Sequence, residues 1–220
     1  MCNEVARRIE LGLIRQDFAE LRIPLRFGEG VPNMAPLPSV RITDRTVIIR
    51  AARNVPVEKP SESLGEVQAA ELVTRRWSWP GTSGKPVYNY RSEGRDFRNS
   101  ARQGRCLVPV DGFYEFTAPA DPRAKRKDKW LFRWKARDWF AIAGLWKSDP
   151  AIPDPAGEAF TLLTCEPGPD IAPYHGRQVV LLDRTDWAGW LDGSVPAQAL
   201  LRPTPGGTLS VEPAGDARLL

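Results

Sequence analysis

The stretch that decides the fold is Arg105–Thr117, RCLVPVDGFYEFT. An apolar, β-branched run (105–110) meets Asp111-Gly112, a tight-turn signal, and continues as an aromatic run (112–117). Neither half shows the apolar spacing of a helix. One acid, Glu115, lies among Phe113, Tyr114 and Phe116. A carboxyl there is either desolvated, with a raised pKa suited to proton transfer, or simply the outward residue of an alternating strand.

The β character extends in both directions. Residues 129–135 (KWLFRWK), 139–146 (WFAIAGLW), 159–164 (AFTLLT) and 179–182 (VVLL) are strand-length and apolar or aromatic. The basic stretch 118–128 joins two strands as a long hairpin-like loop. Toward the N-terminus, 39–44 and 46–52 read as strands about an Asp44-Arg45 turn, 55–65 as a polar loop, and 31–38 as proline-rich extended chain. Residues 67–79 end in Trp77-x-Trp79 before the Pro80-Gly81 turn signal. Helices are expected over 4–21, with Asn3 as N-cap and Val5, Ile9, Leu13, Phe18 and Leu21 near one face. Shorter ones are expected over 96–103, capped by Asp96, and 184–191, capped by Thr185. The 21 prolines are spread along the chain, so they punctuate turns and mark no linker. The reading is α+β: a single domain dominated by antiparallel strands, a barrel-like sheet with peripheral helices.

Composition narrows the function classes. With 220 residues, 42% hydrophobic and 26% charged, the chain is neither disordered nor fibrous, and no apolar run nears the ~18 residues of a membrane helix. A net charge of +4 is weak evidence for an anionic partner, but the basic residues cluster. Arg123–Lys129 (RAKRKDK) holds five in seven positions, and Arg91, Arg95, Arg98, Arg102 and Arg105 recur in another stretch. Three cysteines and one histidine suit neither a disulfide framework nor a zinc set, so no metal and no cofactor is expected. The start, MCNEVARRIELGLIRQ, lacks the apolar core of a signal peptide. A reducing, cytoplasmic setting is expected, with Cys106 and Cys165 as inert core thiols.

Three further features carry possible chemistry. Cys2 follows Met1. Methionine removal before so small a residue leaves an α-amine and a thiol together, a 1,2-aminothiol that can close a thiazolidine ring with an aldehyde; otherwise Cys2 is an ordinary residue on a frayed end. His175, in Tyr174-His175-Gly176-Arg177, stands at the entrance to a buried strand, as an acid–base group or a structural hydrogen-bonding residue. Asn89 and Arg91 share a face if extended, where they could orient a carbonyl and bind a phosphate, or they belong to a polar loop.

The order of these features resembles one family. Position-two Cys, Asn33-x-Ala35-Pro36, the Trp-rich turn, Asn89-x-Arg91-x-Glu93, Arg105-to-Phe116 and His175-x-Arg177 together resemble the SOS-response-associated peptidase family, over residues 2–202 with 203–220 as a C-terminal extension. The resemblance implies an abasic-site sensor in single-stranded DNA, cytoplasmic and nucleoid-associated, and monomeric. Its N-terminal cysteine captures the opened deoxyribose as a thiazolidine DNA–protein crosslink. Carried over, Cys2 is the nucleophile, Asn89 holds the sugar or the terminal cysteine, and Glu115 and His175 move protons. Arg91, Trp77, Trp79, Arg105, Arg177, Asn33 and Pro36 form the DNA-binding set. Autopeptidase and lyase chemistry are implied as well; a non-catalytic single-strand-binding module is the reading from another class. The sequence departs from the family at Asn3-Glu4 (usually Gly-Arg), Tyr90 (Ala), Ser78-Trp79 (Gly-Leu) and Gln178-Val179 (Met-Pro).

Overall fold

The computed structural model describes residues 2–53, 69–119, 121, 123 and 125–215. In chain order it contains β1 (Glu4–Arg7), α1 (Leu11–Glu20), β2 (Leu25–Arg26), β3 (Leu37–Arg41), β4 (Arg45–Ala51), β5 (Ala70–Trp77), β6 (Trp79–Pro80), β7 (Pro86–Val87) and β8 (Asn89–Arg91). Then come β9 (Gln103–Val110), β10 (Gly112–Thr117), β11 (Asp128–Trp134), β12 (Phe140–Ser148), β13 (Glu158–Cys165), β14 (Gln178–Val179) and β15 (Leu181–Leu182). A 3-10 turn (Arg184–Asp186), α2 (Trp187–Asp192), α3 (Ala197–Leu200) and β16 (Leu209–Pro213) complete the chain.

Five strands close on themselves. β9 pairs antiparallel with both β4 and β12, β4 pairs with β5, and β12 pairs with β13. A parallel pairing of β5 with β13, Trp77 opposite Phe160, completes the ring. A second sheet, in the order β16-β11-β10-β1-β3, packs against the barrel. This is the α+β, mainly antiparallel architecture the strand pattern predicts.

The chain passes between the two sheets at tight corners. Asp111-Gly112 is one of them and not a hairpin, because β9 pairs within the barrel and β10 within the second sheet. The Asp111 carboxylate accepts from the Arg8 backbone N–H and Nε, both at 2.7 Å. A Cβ on Gly112 would meet Leu131 Cδ1 at 2.7 Å and the Phe132 carbonyl at 3.0 Å, so any side chain there must displace its neighbours. Residues 42–44 form another corner: β3 pairs with β1 and β4 with β5, so these strands are not partners.

Apolar side chains form two layers. The barrel interior and the face of the second sheet share Ile48, Val73, Trp77, Val108, Ile142, Phe160, Phe113 and Phe132. Alternation puts Arg50, Arg75 and Glu158 on the same inward faces, and all three are buried. They neutralise one another: Arg50 reaches Glu158 at 2.9 Å and Glu71 at 2.6 Å, while Arg75 also pairs with Glu158. The outer layer is covered by α1 and α2, where Phe18 stacks on Trp187 at 5.4 Å.

Several expectations are corrected. Residues 4–7 are a strand and the helix begins only at Leu11, flanked by Glu10, so Asn3 caps nothing. The strand β1 is buried on both faces, which erases the alternation that would have marked it. Residues 96–103 form no helix, because the Asn99 amide bridges Leu191 O (2.6 Å) and Arg105 N (2.8 Å) instead. Asp183, not Thr185, caps the turn that leads into α2. Residues set apart as a C-terminal extension supply β16, which pairs with β11 and buries Leu209. The expected 55–65 loop lies outside the described residues. Among the described residues, no helix is long and apolar enough to cross a membrane.

Candidate functional site

Strand β1 runs antiparallel to β10 with Val5 opposite Phe113, which carries the start of the chain past Glu115. Strand β8 lies parallel to β13 and extends Asn89 from the barrel side, where its Nδ2 donates to the Cys2 carbonyl at 2.7 Å. Cys2 is therefore clasped between the two sheets.

Glu115 faces inward and is 1% exposed. Burial pushes its carboxyl up to about 7; the positive charge at the chain's start and the Cys2 backbone N–H, which donates to the carboxylate, hold it back. Of the two readings the sequence leaves open, the desolvated acid is the one observed. The Cys2 thiol is buried, donates to the Glu4 carbonyl at 3.3 Å, and is pushed far above the usual thiol range by burial and then by the Glu115 charge.

His175 is half-buried on the loop between β13 and β14. Burial and then the charge at the chain's start lower its pKa, and Lys127 lowers it further. His175 Nδ1 lies 3.0 Å from both the Arg177 backbone nitrogen and the Arg177 carbonyl oxygen, so the Arg177 backbone fixes the ring's orientation. Cys2, Asn89 and Glu115 thus meet directly, and His175 is within electrostatic reach of the same chain start.

Two motifs distant in sequence turn out to be one device. Arg177, of His-x-Arg, pairs through both guanidinium nitrogens with Glu93, of Asn-x-Arg-x-Glu, and its Nη2 also donates to Thr164 O at 2.8 Å. Arg177 is a strut that holds the histidine loop to β8, not the open cation expected for DNA. Gln178, the departure beside it, accepts from Gly168 N at 2.6 Å and ties down the base of that loop.

The rest of the expected DNA-binding set divides. Trp77 is fully buried, stacked on Phe160 and donating to Tyr88 O, so it offers no surface to a base. Arg105 is 3% exposed, with Nε on Phe97 O (2.7 Å) and Nη1 on Val195 O (3.0 Å); its charge closes a loop and does not reach solvent. Both were misread because residue type alone does not reveal which way a strand faces. Trp79 is partly exposed, and Asn33 and Pro36 are exposed on a loop that Arg7 holds through the Ala35 carbonyl at 2.8 Å. Arg91 is exposed and makes no ion pair among the described residues.

Two contributions escaped sequence reasoning. Glu4, of the wrong sign for DNA, is buried and neutralised: Lys129 Nζ lies 2.7 Å away, Ser39 Oγ donates at 2.6 Å, and Arg41 Nε is at 3.7 Å. Trp130 stands directly opposite Glu115 in the β10–β11 register and meets Tyr174 edge-on at 5.0 Å, beside the histidine loop. Counting back from a 118–128 loop puts Leu131 opposite Glu115; the hairpin closes one residue earlier, with Thr117 opposite Asp128. Cys106 and Cys165 are buried free thiols, the latter pushed up to about 12 by burial.

Cys2, held by Asn89 and beside the inward carboxyl of Glu115, with the histidine loop within electrostatic reach of the chain's start, forms a site where the barrel meets the second sheet. The family model described as SOS response associated peptidase (SRAP) matches residues 1–217, and the chain belongs to that family. Relatives include the Bacillus subtilis (strain 168) abasic site processing protein YobE, 28% identical over 101 residues that make up 46% of this chain and 45% of the relative. The abasic site processing protein YoqW of the same organism is 29% identical over 101 residues, 46% of this chain and 44% of that protein. The chain thus spans just under half the length of these relatives. Among solved structures, a Bacteroides thetaiotaomicron protein superposes with a TM-score of 0.68 at 16% identity, covering 98% of this chain and 93% of that one. A Bordetella bronchiseptica protein gives 0.66 at 23% identity, covering 97% and 100%. These two show a shared fold.

Proposed function

We propose that the protein captures abasic sites in single-stranded DNA as a covalent thiazolidine on Cys2. The reading is supported above all by the contact between the Cys2 nitrogen and a carboxyl whose pKa is near 7. Family membership and the names of the relatives support the same class of substrate.

Water first hydrolyses the Met1–Cys2 amide, and the nitrogen that contacts Glu115 becomes a free amine. The opened deoxyribose presents an aldehyde. The amine attacks its carbonyl carbon, and Glu115 relays the two amine protons in turn to the oxygen, first forming the carbinolamine hydroxyl and then releasing it as water. The sulfur then adds to the imine carbon, the thiol proton passes to nitrogen, and the five-membered ring closes with one water lost overall. Asn89 fixes the Cys2 carbonyl during these steps. His175 moves a proton at the sugar ring oxygen during opening. An abasic site has no base edge to read, so phosphate contact at Arg91 and access to the bare sugar carry recognition.

The test pairs mass spectrometry of the N-terminus with incubation on single strands whose uracil has been excised. Loss of Met1 and an SDS-resistant adduct that vanishes in Cys2→Ala are expected. An equally stable adduct from Cys2→Ala, or an active protein that retains Met1, would overturn the reading. Salt-sensitive binding with no adduct in either protein would leave a plain single-strand-binding module.

A further inference from the structure

A second cleft, of about 360 Å³, backs onto the candidate site. Its walls carry Trp79, Tyr90, Phe97 and Trp146 together with Arg95 and Lys147. The volume lies within the ~300–1,000 Å³ typical of small-ligand pockets. Cations sit over the rings: Arg95 lies 4.6 Å from the Tyr90 centroid and donates to its hydroxyl at 2.7 Å, and Lys147 lies 5.1 Å from the Trp79 centroid while pairing with Asp149 at 3.5 Å. Arg95 makes no ion pair among the described residues. The one acid in the wall, Asp96, is occupied by Arg98 at 3.1 Å and faces Arg105 at 3.9 Å. The cleft therefore combines flat π-surfaces with the charge of Arg95 left over for an anion, the combination that a base bearing a phosphate requires.

The cleft shares a wall with the site. Asn89 and Tyr90 are consecutive on β8, so their side chains leave opposite faces: Asn89 toward the Cys2 carbonyl, Tyr90 into the cleft. Arg91, exposed, follows them on the same strand. We infer that this cleft is a nucleotide site that holds an unpaired base and phosphate of the strand whose sugar reaches Cys2. The inference rests on the function proposed above for its strand, and its chemistry extends equally to a free nucleotide.

The experiment uses Cys2→Ala protein and undamaged oligonucleotides, so it does not depend on crosslinking. Affinity for a twelve-nucleotide single strand is compared with that of Tyr90→Ala, Arg95→Gln and Lys147→Gln, with Tyr90→Phe as a control that keeps the ring. Stacking of one base predicts about a ten-fold weakening in Tyr90→Ala, a smaller loss in each cation variant with a shallower salt dependence, and near-normal binding in Tyr90→Phe. Competition by deoxyadenosine monophosphate at millimolar concentration would assign the cleft to free nucleotides as well, and failure to compete would reserve it for the strand. If all four variants bind within two-fold of the parent, or the parent binds neither the oligonucleotide nor the monophosphate, the inference is wrong. Loss of crosslinking on abasic DNA with these binding results intact would remove the proposed chemistry and leave the nucleotide site standing.

Discussion

Burying Glu115 beside the chain's start makes its protonation part of folding. Its pKa of about 7 in the fold lies above the usual 4.5, so between those values the native protein binds more protons than the unfolded chain. Its contribution to stability is complete below the lower value and is lost as pH rises through the upper one. Glu115→Gln, measured by denaturant unfolding in the same N-terminal form, should match the parent near pH 4. It should gain relative to it as pH rises, by up to about 3 kcal/mol above pH 8. A difference independent of pH would show that the carboxyl ionises freely in the fold. The same substitution should also remove any inflection near pH 7 in the rate of adduct formation.

At the scale of elements, the site depends on where strands change sheets. Asp111-Gly112 lets β9 leave the barrel and β10 enter the second sheet within two residues, which turns Glu115 inward toward the chain start. Ser78 performs a related turn: its φ of +86° is a left-handed conformation that costs a non-glycine residue about 1–3 kcal/mol. The usual glycine of the family motif at this position now has a reason. Gly112→Ala should lower stability by about 1–3 kcal/mol in a denaturant midpoint, because its methyl group would overlap Leu131 and the Phe132 carbonyl. Gly12→Ala is the control: nothing lies within 4 Å of its Cβ, and helix propensity favours the change. A Gly112→Ala midpoint equal to the parent's would mean the corner can relax.

For the molecule as a whole, the barrel interior is held at one region by charge and elsewhere by apolar packing. Glu158 is shared by Arg50, Arg75 and Arg53, and both it and the first two arginines are buried. Removing its charge leaves two buried guanidiniums with one carboxylate each, Glu71 for Arg50 and Glu29 for Arg75. Glu158→Gln should cost about 3–5 kcal/mol. Glu29, whose side chain is half exposed where it pairs with Arg75, should cost under about 1 kcal/mol when changed to Gln. Parallel urea titrations of the two variants provide the comparison, and equal losses would refute the assignment of the network to a dry interior.

What the sequence determined by itself was local: the strand-length runs from Arg105 to Leu182, the aromatic setting of Glu115, the lone histidine before an apolar strand, and a cysteine next to the initiating methionine. These follow from propensity and spacing within a few residues. Which face each strand buries was not legible. Trp77 and Arg105 look like ligands for DNA by residue type and are core, while Glu4 looks out of place and is neutralised by Lys129, 125 residues away. Nor could the chain alone join Glu93 to Arg177, or bring Asn89 to the Cys2 carbonyl, since both contacts cross from one strand partner to another. Pairing order and sheet closure depend on burial summed over the whole barrel, and that sum exists only once the tertiary structure has formed.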